Sequence, residues 1–472
     1  MKKIFYLFLF IFWTSTGVQS QSQVFDIRDY GAIGDGETLC SVAIQSAIDA
    51  CTAAGGGQVL VPAGRFLSGS IRLKSRVNLH LAEGATLLGS TRRSDYDKNK
   101  WYALVLAQEV RDIAITGRGT IDGQGTALAA DTDRMYKEGL LAGGYKDNRT
   151  HESQRPQLID FEQCTKVVVS GISLLNSACW VQRYGRCDSL TIDGIKVVSM
   201  AFWNNDGIDL VDCRHTLVQH CNINAADDGI CLKSDLKDKA CEDILIRHCT
   251  IRSSASALKF GTNSYGGFKR IKVHNLTIFD TYRSAIALEI VDGGVLEDVE
   301  IKHIRAKNTG NAIFLRLGHR NQRVAPGQFR KVHIKDVSVE IPKGRPDEGY
   351  ALPGPPVKEP HNLMPSSIVG LTDYAIEDVV LEDIRITHAG GGRCAVACVP
   401  QDSLHLVPER EKDYPEFSMF GELPAWGIYA RHVKGLTLKK IRLTLLESDY
   451  RPALIQDDVQ GAKIGRISVR KR

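Results

Sequence analysis

The stretch Asn204–Ser234 reads NNDGIDLVDCRHTLVQHCNINAADDGICLKS and decides how the rest of the chain is interpreted. It sets an aspartate and a glycine ahead of a short apolar strand twice, at Asp206 and again at Asp228. The same six-residue frame, without the aspartate, returns three more times, beginning at Ser256, Ser284 and Asn311. Copies spaced so evenly indicate a repeating structure in which equivalent positions lie side by side.

Side chains within each copy alternate between two faces, as they do in any strand. The third and fifth positions are apolar in every copy, so we predict that they line an interior. The fourth and sixth positions then form two outward columns. The first column contains Asp209, Cys231, Lys259, Ala287 and Phe314, and the second contains Val211, Lys233, Gly261, Glu289 and Arg316. We interpret these columns as the floor of a substrate cleft.

A wider repeat surrounds this frame, with apolar residues separated by two, one and two positions. Segments with this pattern begin at residues 110, 164, 187, 213, 241, 268, 296, 329, 376 and 433. Their central spacing is too short for propeller blades and lacks helical periodicity, whereas one turn of three short strands fits it. The sequence therefore predicts an all-β chain folded as a single right-handed parallel β-helix. Leucine-rich repeats are the structural alternative, but their Leu and Asn signature is missing.

One helix is predicted ahead of the repeats, over SVAIQSAIDACTAA from Ser41, before a run of three glycines. Its apolar residues would cover the open end of the core, and they are Val42, Ile44, Ala47, Ile48 and Cys51. Long insertions are predicted as loops within residues 115–167, 342–365 and 389–425. Aromatic residues at the end of the third insertion either stack on sugar rings or pack the loop onto the coil, and they are Tyr414, Phe417, Phe420 and Trp426.

The N-terminus has the pattern of a secretory signal over residues 1–20, with two lysines, an apolar run and small polar residues. We therefore expect a secreted or periplasmic protein whose residues 21–472 form one domain. The apolar run is too short to cross a bilayer, so no membrane span is expected. A net charge of +5 without a long basic run gives no sign of nucleic-acid binding. We expect a monomer.

The twelve cysteines would ordinarily suggest a disulfide framework in an exported chain. Their spacing favours another interpretation, because six of the twelve occupy equivalent repeat positions and would stack as small apolar side chains. These cysteines are Cys164, Cys187, Cys213 and Cys241 at one position and Cys221 and Cys249 at another. Cys394 and Cys398 lie outside the repeats and are the candidates for a local disulfide. The absence of a CxxC pair disfavours zinc.

Three aspartates should crowd together on the predicted cleft floor. Asp227 and Asp228 are adjacent in the chain, and Asp206 lies one coil earlier in the column of Asp228. Neighbouring coils are roughly 4.8 Å apart, so one of these carboxyl groups should have a raised pKa. A protonated acid beside an ionised base suits glycosidic cleavage, with a bell-shaped pH dependence on the acidic side of neutrality. The alternatives are solvated Asp-Gly turns and a calcium site; we predict that no metal or cofactor is needed.

From Val24 to Leu443 the sequence resembles the family 28 glycoside hydrolases, the polygalacturonase family of pectin-degrading enzymes. The resemblance lies in VFDIRDYGAIGDG from Val24, GRGTIDGQG from Gly117, NNDGID and DDGICLKS. It implies a parallel β-helix and hydrolysis of galacturonate-containing pectic polysaccharide. It also implies that Asp227 is the general acid, while Asp206 and Asp228 hold and activate water, with inversion at the anomeric carbon.

Two elements of that family are replaced. Ala255-Ser256-Ala257 stands where the family has Gly-His-Gly, and Ala287-Leu288-Glu289 stands where it has Arg-Ile-Lys. Missing cations there predict a neutral leaving-group sugar, as in rhamnogalacturonan, beside a galacturonate held by a lysine. The candidate substrate-binding residues are Lys259, Lys233, Asp209, Ser256, Glu289 and Arg316. The three cations among them either bind a uronate or pair as ordinary surface charges with Glu289 or Asp209. Two rival functions are a β-helix polysaccharide lyase, which would use a basic residue and calcium, and a non-catalytic carbohydrate-binding solenoid.

Overall fold

The computed structural model describes residues 23–146, 149–347, 361–393 and 399–471. The predicted signal over residues 1–20 and the predicted Cys394–Cys398 pair lie outside these ranges. No helix within them is both long enough and apolar enough to span a membrane.

Within these ranges, thirty-three strands join into one sheet that winds along the chain, and two more form a hairpin. The first twelve are β1 Val24–Asp26, β2 Asp35–Leu39, β3 Gly57–Val61, β4 Gly64–Ser68, β5 Ile71–Arg72, β6 Val77–Leu81, β7 Ala85–Gly89, β8 Ala103–Gln108, β9 Arg111–Gly117, β10 Thr120–Asp122, β11 Tyr145–Lys146 and β12 Arg149–Thr150. The next twelve are β13 Gln157–Glu162, β14 Thr165–Ser170, β15 Ser173–Leu175, β16 Gln182–Gly185, β17 Asp188–Asp193, β18 Lys196–Ser199, β19 Ile208–Val211, β20 Arg214–Gln219, β21 Asn222–Ala225, β22 Ile230–Ser234, β23 Cys241–Ser253 and β24 Leu258–Ser264. The last eleven are β25 Gly267–Ile290, β26 Val295–Leu317, β27 Gln328–Ile341, β28 Ser366–Val369, β29 Ile376–His388, β30 Ile428–Lys434, β31 Thr437–Lys439, β32 Ile441–Leu445, β33 Leu454–Gln460, β34 Lys463–Ile464 and β35 Ile467–Lys471.

In the part of the chain that the structure describes, two α-helices accompany the strands, α1 over Ser41–Ala53 and α2 over Gly125–Lys137. The first confirms the predicted helix, and it buries four of the five predicted apolar residues against the first strands. Val42 is the exception, because it is 80% exposed. The second helix lies where the sequence predicted a loop. It has a weak apolar face, with little more than Leu128 and Ala129 buried, and no side chain caps its N-terminus, so it carries few helix signals.

The strands pair in parallel with the register that the repeats predicted. Ile208 pairs with Ile230, Ile230 with Leu258, and Leu258 with Ile286. The all-β, right-handed parallel β-helix is therefore confirmed. The cleft floor is the face of this sheet formed by β13, β16, β19, β22 and β24, the last residues of β25 and β26, and β28 and β30.

The core is a continuous stack of buried aliphatic side chains, joined by small thiols. All ten cysteines in the described part of the chain are free and buried, which confirms their interpretation as packing residues. The thiol of Cys213, for example, donates to the carbonyl of Tyr184 in the preceding coil at 3.1 Å. These side chains fill the interior and satisfy backbone carbonyls at the same time.

One row of bends carries alternating charges on the outside of the coil, and we call it the bend ladder. Its members are Asp188, Arg214, His215, Glu242, Asp243, Arg270, Glu297, Asp298, Arg330 and Lys331. Arg270 illustrates the pattern: it bridges to Glu242 at 2.9 Å and to Asp243 at 2.7 Å in the preceding coil. Five of these side chains are exposed and the other five are half-buried. The bend ladder aligns each coil on its neighbour.

The third insertion packs on the outer face of the floor and forms a second apolar cluster there. The cluster contains Ala287, Phe314, Leu363, Met364, Val369, Val407, Phe417, Phe420, Leu423, Ala425, Tyr429 and Ile455. Phe417, Phe420 and Trp426 are all buried, so these aromatic residues pack the loop. Tyr414 alone among the four is exposed.

Candidate active site

A cavity of about 310 Å³ lies above β19, β22 and β24 at the middle of the floor. Its lining residues are Trp101, Glu152, Trp180, Asn204, Asp206, Asp227, Asp228, Lys233, Asp235, Lys259, Gly261, Thr262, Asn263, Arg320 and Tyr414. All three predicted catalytic aspartates are among them. So are Lys233 and Lys259, two of the predicted substrate-binding residues.

The aspartates lie close together because neighbouring coils approach closely at the dipeptides Asp206-Gly207 and Asp228-Gly229. A Cβ atom on Gly207 would lie 2.5 Å from the carbonyl oxygen of Gly229, so only glycine fits there. Carboxylate oxygens of Asp206 and Asp228 lie within 4.8 Å of each other. The amide of Asp228 donates to a carboxylate oxygen of Asp227 at 3.0 Å. The predicted crowding is thus present in the fold.

The three carboxyl groups differ in pKa. Burial, together with the charges of Asp206 and Asp228, raises the pKa of Asp227 to about 8. Burial also pushes the pKa of Asp228 upward, but the charges of Lys259, Lys233 and Arg283 outweigh it and hold that pKa below its usual value. Burial and Asp209 raise the pKa of Asp206. One cavity therefore holds a protonated acid at neutral pH beside an ionised carboxylate.

Two lysines pair with these carboxylates. The Lys233 ammonium group lies 3.2 Å from Asp206 and donates a short hydrogen bond to Asp209. The Lys259 ammonium group lies 3.2 Å from Asp228 and donates to the Tyr414 hydroxyl at 2.9 Å. Burial opposes their charge, but the surrounding carboxylates outweigh it and raise the pKa of both lysines. Both lysines therefore stay charged in the cavity.

Two predicted substrate-binding residues lie beneath the cavity. Asp209 is fully buried, one of its carboxylate oxygens has no hydrogen-bond partner, and its pKa is raised to about 7 by burial. It supports Lys233 from below. The side chain of Ser256 is buried, and its backbone amide donates to Asp228 at 3.0 Å. Neither residue lines the cavity, so we reassign both from sugar binding to support of the catalytic groups.

Two further predicted residues, Arg316 and Glu289, do not line the cavity. Arg316 is fully buried and donates to the backbone carbonyls of Glu409, at 2.7 Å, and Arg410, at 3.1 Å. Glu289 is 2% exposed, and burial raises its pKa to about 7. Ala287 belongs to the outer apolar cluster. The outward columns thus do not all face solvent, and neither Ala287 nor Glu289, which the sequence placed beside the leaving-group sugar, lines the cavity.

Arg283 is a charged residue near the site that the sequence analysis missed. It is nearly buried, its charge lowers the pKa of both Asp227 and Asp228, and its Nε lies 3.2 Å from Glu416. Arg283 directly precedes the frame that begins at Ser284, as Asp227 directly precedes the frame at Asp228. Extending the frame by one residue would therefore have placed both in one column.

A pair of tryptophans, also missed, forms one wall. The rings of Trp101 and Trp180 lie 5.0 Å apart, and the Lys233 ammonium group lies 4.2 Å from the centre of the Trp180 ring. Indole rings favour contact with the apolar face of a sugar and with cations. Trp101 sits in an irregular connection, where no repeat signals its position.

Donor atoms of Asp206, Asp228 and Cys231 lie within 4.8 Å of one another, close enough to share a cation. The lysines contact the same donors: Lys233 lies 3.1 Å from the Cys231 thiol as well as 3.2 Å from Asp206. A thiol in place of a hard oxygen donor, together with two ammonium groups, fits calcium poorly. The ammonium group of Lys233 thus already contacts two of the donor atoms that a calcium ion would need.

Comparison with known proteins adds independent evidence. The family model described as "Glycosyl hydrolases family 28" matches residues 51–349. A "Probable polygalacturonase" of Vitis vinifera is 28% identical over 331 residues, or 66% of this chain and 58% of that protein. An "Exo-poly-alpha-D-galacturonosidase" of Dickeya chrysanthemi is 24% identical over 70% of this chain and 64% of that protein. The chain thus spans less than two thirds of the length of these two relatives.

The solved structure of a "Family 28 Exopolygalacturonase" of Yersinia enterocolitica superposes with a TM-score of 0.71 at 19% identity. The superposition covers 95% of this chain and 78% of that one. At this identity the likeness establishes the fold. It agrees with the coil architecture described above.

Proposed function

The chain belongs to glycosyl hydrolases family 28, and from that premise we propose that it hydrolyses O-glycosidic bonds of galacturonate-containing pectic polysaccharide. The observation that carries the proposal is the arrangement of Asp206, Asp227 and Asp228 around one cavity with two buried lysines. Hydrolysis requires an acid and a base on two sides of one bond, and this cluster provides both.

The proposed mechanism divides the work among the three carboxyl groups. Asp227, whose raised pKa keeps it protonated at neutral pH, donates its proton to the leaving-group oxygen. Asp228 is ionised and accepts the proton of a water molecule that Asp206 helps to hold. Attack by that water on the opposite face of the sugar inverts the anomeric carbon. Lys233 and Lys259 stabilise the negative charge that the cluster carries.

An anionic sugar fits the charge of this cavity. Lys233, Lys259 and Arg320 all line it, and Arg283 lies just behind Asp227 and Asp228. A uronate carboxylate would bind beside these cations, through charge-assisted hydrogen bonds. The apolar face of a sugar would rest on Trp180. The substrate class we propose is therefore a glycan that contains galacturonate.

Preference for a neutral leaving-group sugar, as in rhamnogalacturonan, has less support. It depended on Ala287 and Glu289, and both are covered. Arg283 provides a cation on that side of Asp228 instead. We retain the rhamnogalacturonan preference as a hypothesis to be compared directly with cleavage of unbranched polygalacturonan.

A digestion panel tests the proposed function. Wild-type protein and Asp227→Asn would be incubated with polygalacturonan, rhamnogalacturonan oligosaccharides and a neutral arabinan, with and without a chelator. We expect new reducing ends from a galacturonate-containing glycan, no rise in ultraviolet absorbance, and no effect of the chelator. An unsaturated, ultraviolet-absorbing product would instead support the lyase, and binding without any product would support the carbohydrate-binding solenoid.

We also propose that the protein is exported, on the basis of the signal pattern over residues 1–20. N-terminal sequencing of protein recovered from the periplasm or the medium would check this. Retention of the intact chain in the cytoplasm would contradict it.

A further inference from the structure

Arg155 is a buried arginine whose partners, in the part of the chain that the structure describes, are all uncharged oxygens. Its side chain is 1% exposed. It donates to the backbone carbonyls of Thr150 at 3.1 Å, Ala178 at 2.8 Å and Trp203 at 2.7 Å, and to the side-chain oxygen of Asn204 at 2.6 Å. Burying a guanidinium group without a carboxylate is costly, so Arg155 depends on all four contacts.

The sequence around Arg155 determines where its side chain lies. Pro156 follows it, and the residue before a proline favours an extended backbone, which Arg155 has with φ −94° and ψ 123°. Strand β13 begins two residues after Arg155. One guanidinium nitrogen donates to the carbonyls of both Ala178 and Trp203, which lead into β16 and β19 in successive coils. Arg155 therefore fastens the loop before Asp206 onto the preceding coil.

The contact with Arg155 determines which way the side-chain amide of Asn204 points. A guanidinium group has only donors, so the amide atom that faces it at 2.6 Å must be the oxygen. The amino group of Asn204 then lies on the other side of the amide. Among the described residues it has no hydrogen-bond partner, and it is not buried. Asn204 lines the cavity, so its two N–H donors are available to a molecule bound there.

The backbone of Asn204 explains which residue types suit this position. Its φ is 59°, in the left-handed region, which asparagine and aspartate adopt more readily than other residues that have a Cβ atom. An ionised aspartate has acceptors only, whereas asparagine adds two donors. Asparagine therefore combines a tolerated backbone with a donor group two residues before Asp206.

We propose that Arg155 is a positioning residue, which orients the Asn204 amide so that its amino group donates a hydrogen bond to an oxygen of the sugar beside Asp206. This inference rests on the proposed hydrolytic function. A donor whose direction is fixed before the substrate arrives loses little conformational freedom on binding. Arg155 acts only through Asn204, since it is buried and does not line the cavity.

A double-mutant cycle on oligosaccharide binding tests this proposal. In an Asp227→Asn background, the Kd of trigalacturonate is measured for the otherwise unchanged chain, for Arg155→Lys, for Asn204→Ala and for both changes together. Lysine cannot make all four contacts, so we expect each single change to weaken binding about tenfold, as for one lost hydrogen bond. The combined variant should bind no more weakly than Asn204→Ala alone. Losses that multiply would overturn the proposal, because a merely structural Arg155 would act equally with and without the Asn204 amide.

Two further variants separate the donor from the shape of the site. Asn204→Asp keeps the backbone and an oxygen facing Arg155 but removes the amino group, so we expect binding at least tenfold weaker. Unchanged binding would overturn the role of Asn204 as a donor. Arg451→Lys is the matched control, because Arg451 is 4% exposed and donates to the carbonyls of Leu363 at 2.7 Å and Leu423 at 3.1 Å, near the far end of the coil. It should lower the melting temperature without changing the Kd; a loss of binding equal to that of Arg155→Lys would overturn the proposal.

The same changes in the wild-type background give kcat/KM and separate this proposal from the proposed function. Absence of hydrolysis, with Kd values that follow the expected pattern, would contradict the proposed function and support the positioning role of Arg155. Hydrolysis by the wild type, with a Kd that Arg155→Lys leaves unchanged, would support the function and overturn the positioning role.

Discussion

The bend ladder and the cavity arrange charged side chains in opposite ways. In the bend ladder, acidic and basic side chains alternate from coil to coil and stay in contact with solvent, as with Arg270 beside Glu242 and Asp243. In the cavity, Asp206, Asp228, Lys233 and Lys259 are at most 9% exposed. Exposed pairs are screened by water and contribute little, whereas buried charges must be matched or neutralised. The same repeat therefore aligns coils at its bends and shifts pKa values on its floor.

The largest expected effect comes from removing the proton donor in the cavity. Asp227→Asn should lower kcat by about 100- to 10,000-fold, since that is the usual contribution of a general acid. Substrate binding should persist, because the amide keeps the shape of the carboxyl group. Initial rates and the Kd of an unhydrolysed oligosaccharide check both parts. A variant that keeps more than a tenth of the wild-type rate would remove Asp227 from the role of acid.

The second prediction compares the two regions directly. Lys233→Met leaves Asp206 and Asp209 without their shared cation, and removing one partner of a buried pair costs about 3–5 kcal/mol. Arg270→Gln in the bend ladder breaks exposed pairs and should cost less than about 1 kcal/mol. Melting temperatures at neutral pH measure the difference. Similar losses in both variants would show that burial does not separate the two regions.

A third prediction concerns the free energy of unfolding, which is lowered at neutral pH because Asp227 has a raised pKa in the fold. The pKa of Asp227 is about 8 in the fold, well above that of an exposed aspartate, so folding loses stability as the pH rises from about 4 toward 8. Asp227→Asn abolishes this loss. The variant should therefore be more stable than the wild type by about 1–3 kcal/mol at neutral pH, less than the full shift because Asp227 keeps contact with cavity water. Unfolding at pH 4 is the control, where the advantage should vanish.

The smallest effect is a displacement of the pH profile. Above pH 8, where Asp227 loses its proton, the rate should fall about tenfold per pH unit. At the acidic end the rate should fall where Asp228 becomes protonated, and this pH lies below the usual aspartate range. The alkaline limit thus lies higher than the sequence predicted. Values of kcat/KM from pH 3 to pH 10 check it. An alkaline limb below pH 6 would show that Asp227 is not held protonated by its neighbours.

The repeats could be predicted from sequence because their signals are local. Strand alternation and even spacing placed Ile208 on Ile230 and brought Asp206 to Asp228 without knowledge of distant contacts. The same reasoning treated every outward position as exposed. That was wrong for Ala287, which a loop from much later in the chain covers.

What the sequence did not show depends on contacts between distant segments. The connection that carries Trp101 and the segment that carries Tyr414 have no periodicity, and their positions are fixed by contacts with the floor. Helix α2 has too few apolar residues to be predicted from its sequence. Arg283 is the exception, since it directly precedes the frame at Ser284 and its position follows from the repeat.

Lys259 and Tyr414 are 155 residues apart in sequence, and this separation has a consequence for protein synthesis. A ribosome adding about 5–20 residues per second completes Lys259 roughly 8–30 s before it reaches Tyr414. Because each coil stacks on the one before, the coils around Lys259 can assemble while the rest of the chain is still being made. A nascent chain, or one truncated before residue 409, would then hold Lys259 without the Tyr414 hydroxyl that it contacts in the complete fold. The part of the cavity wall that Tyr414 forms is thus added well after the floor beneath it has been synthesised.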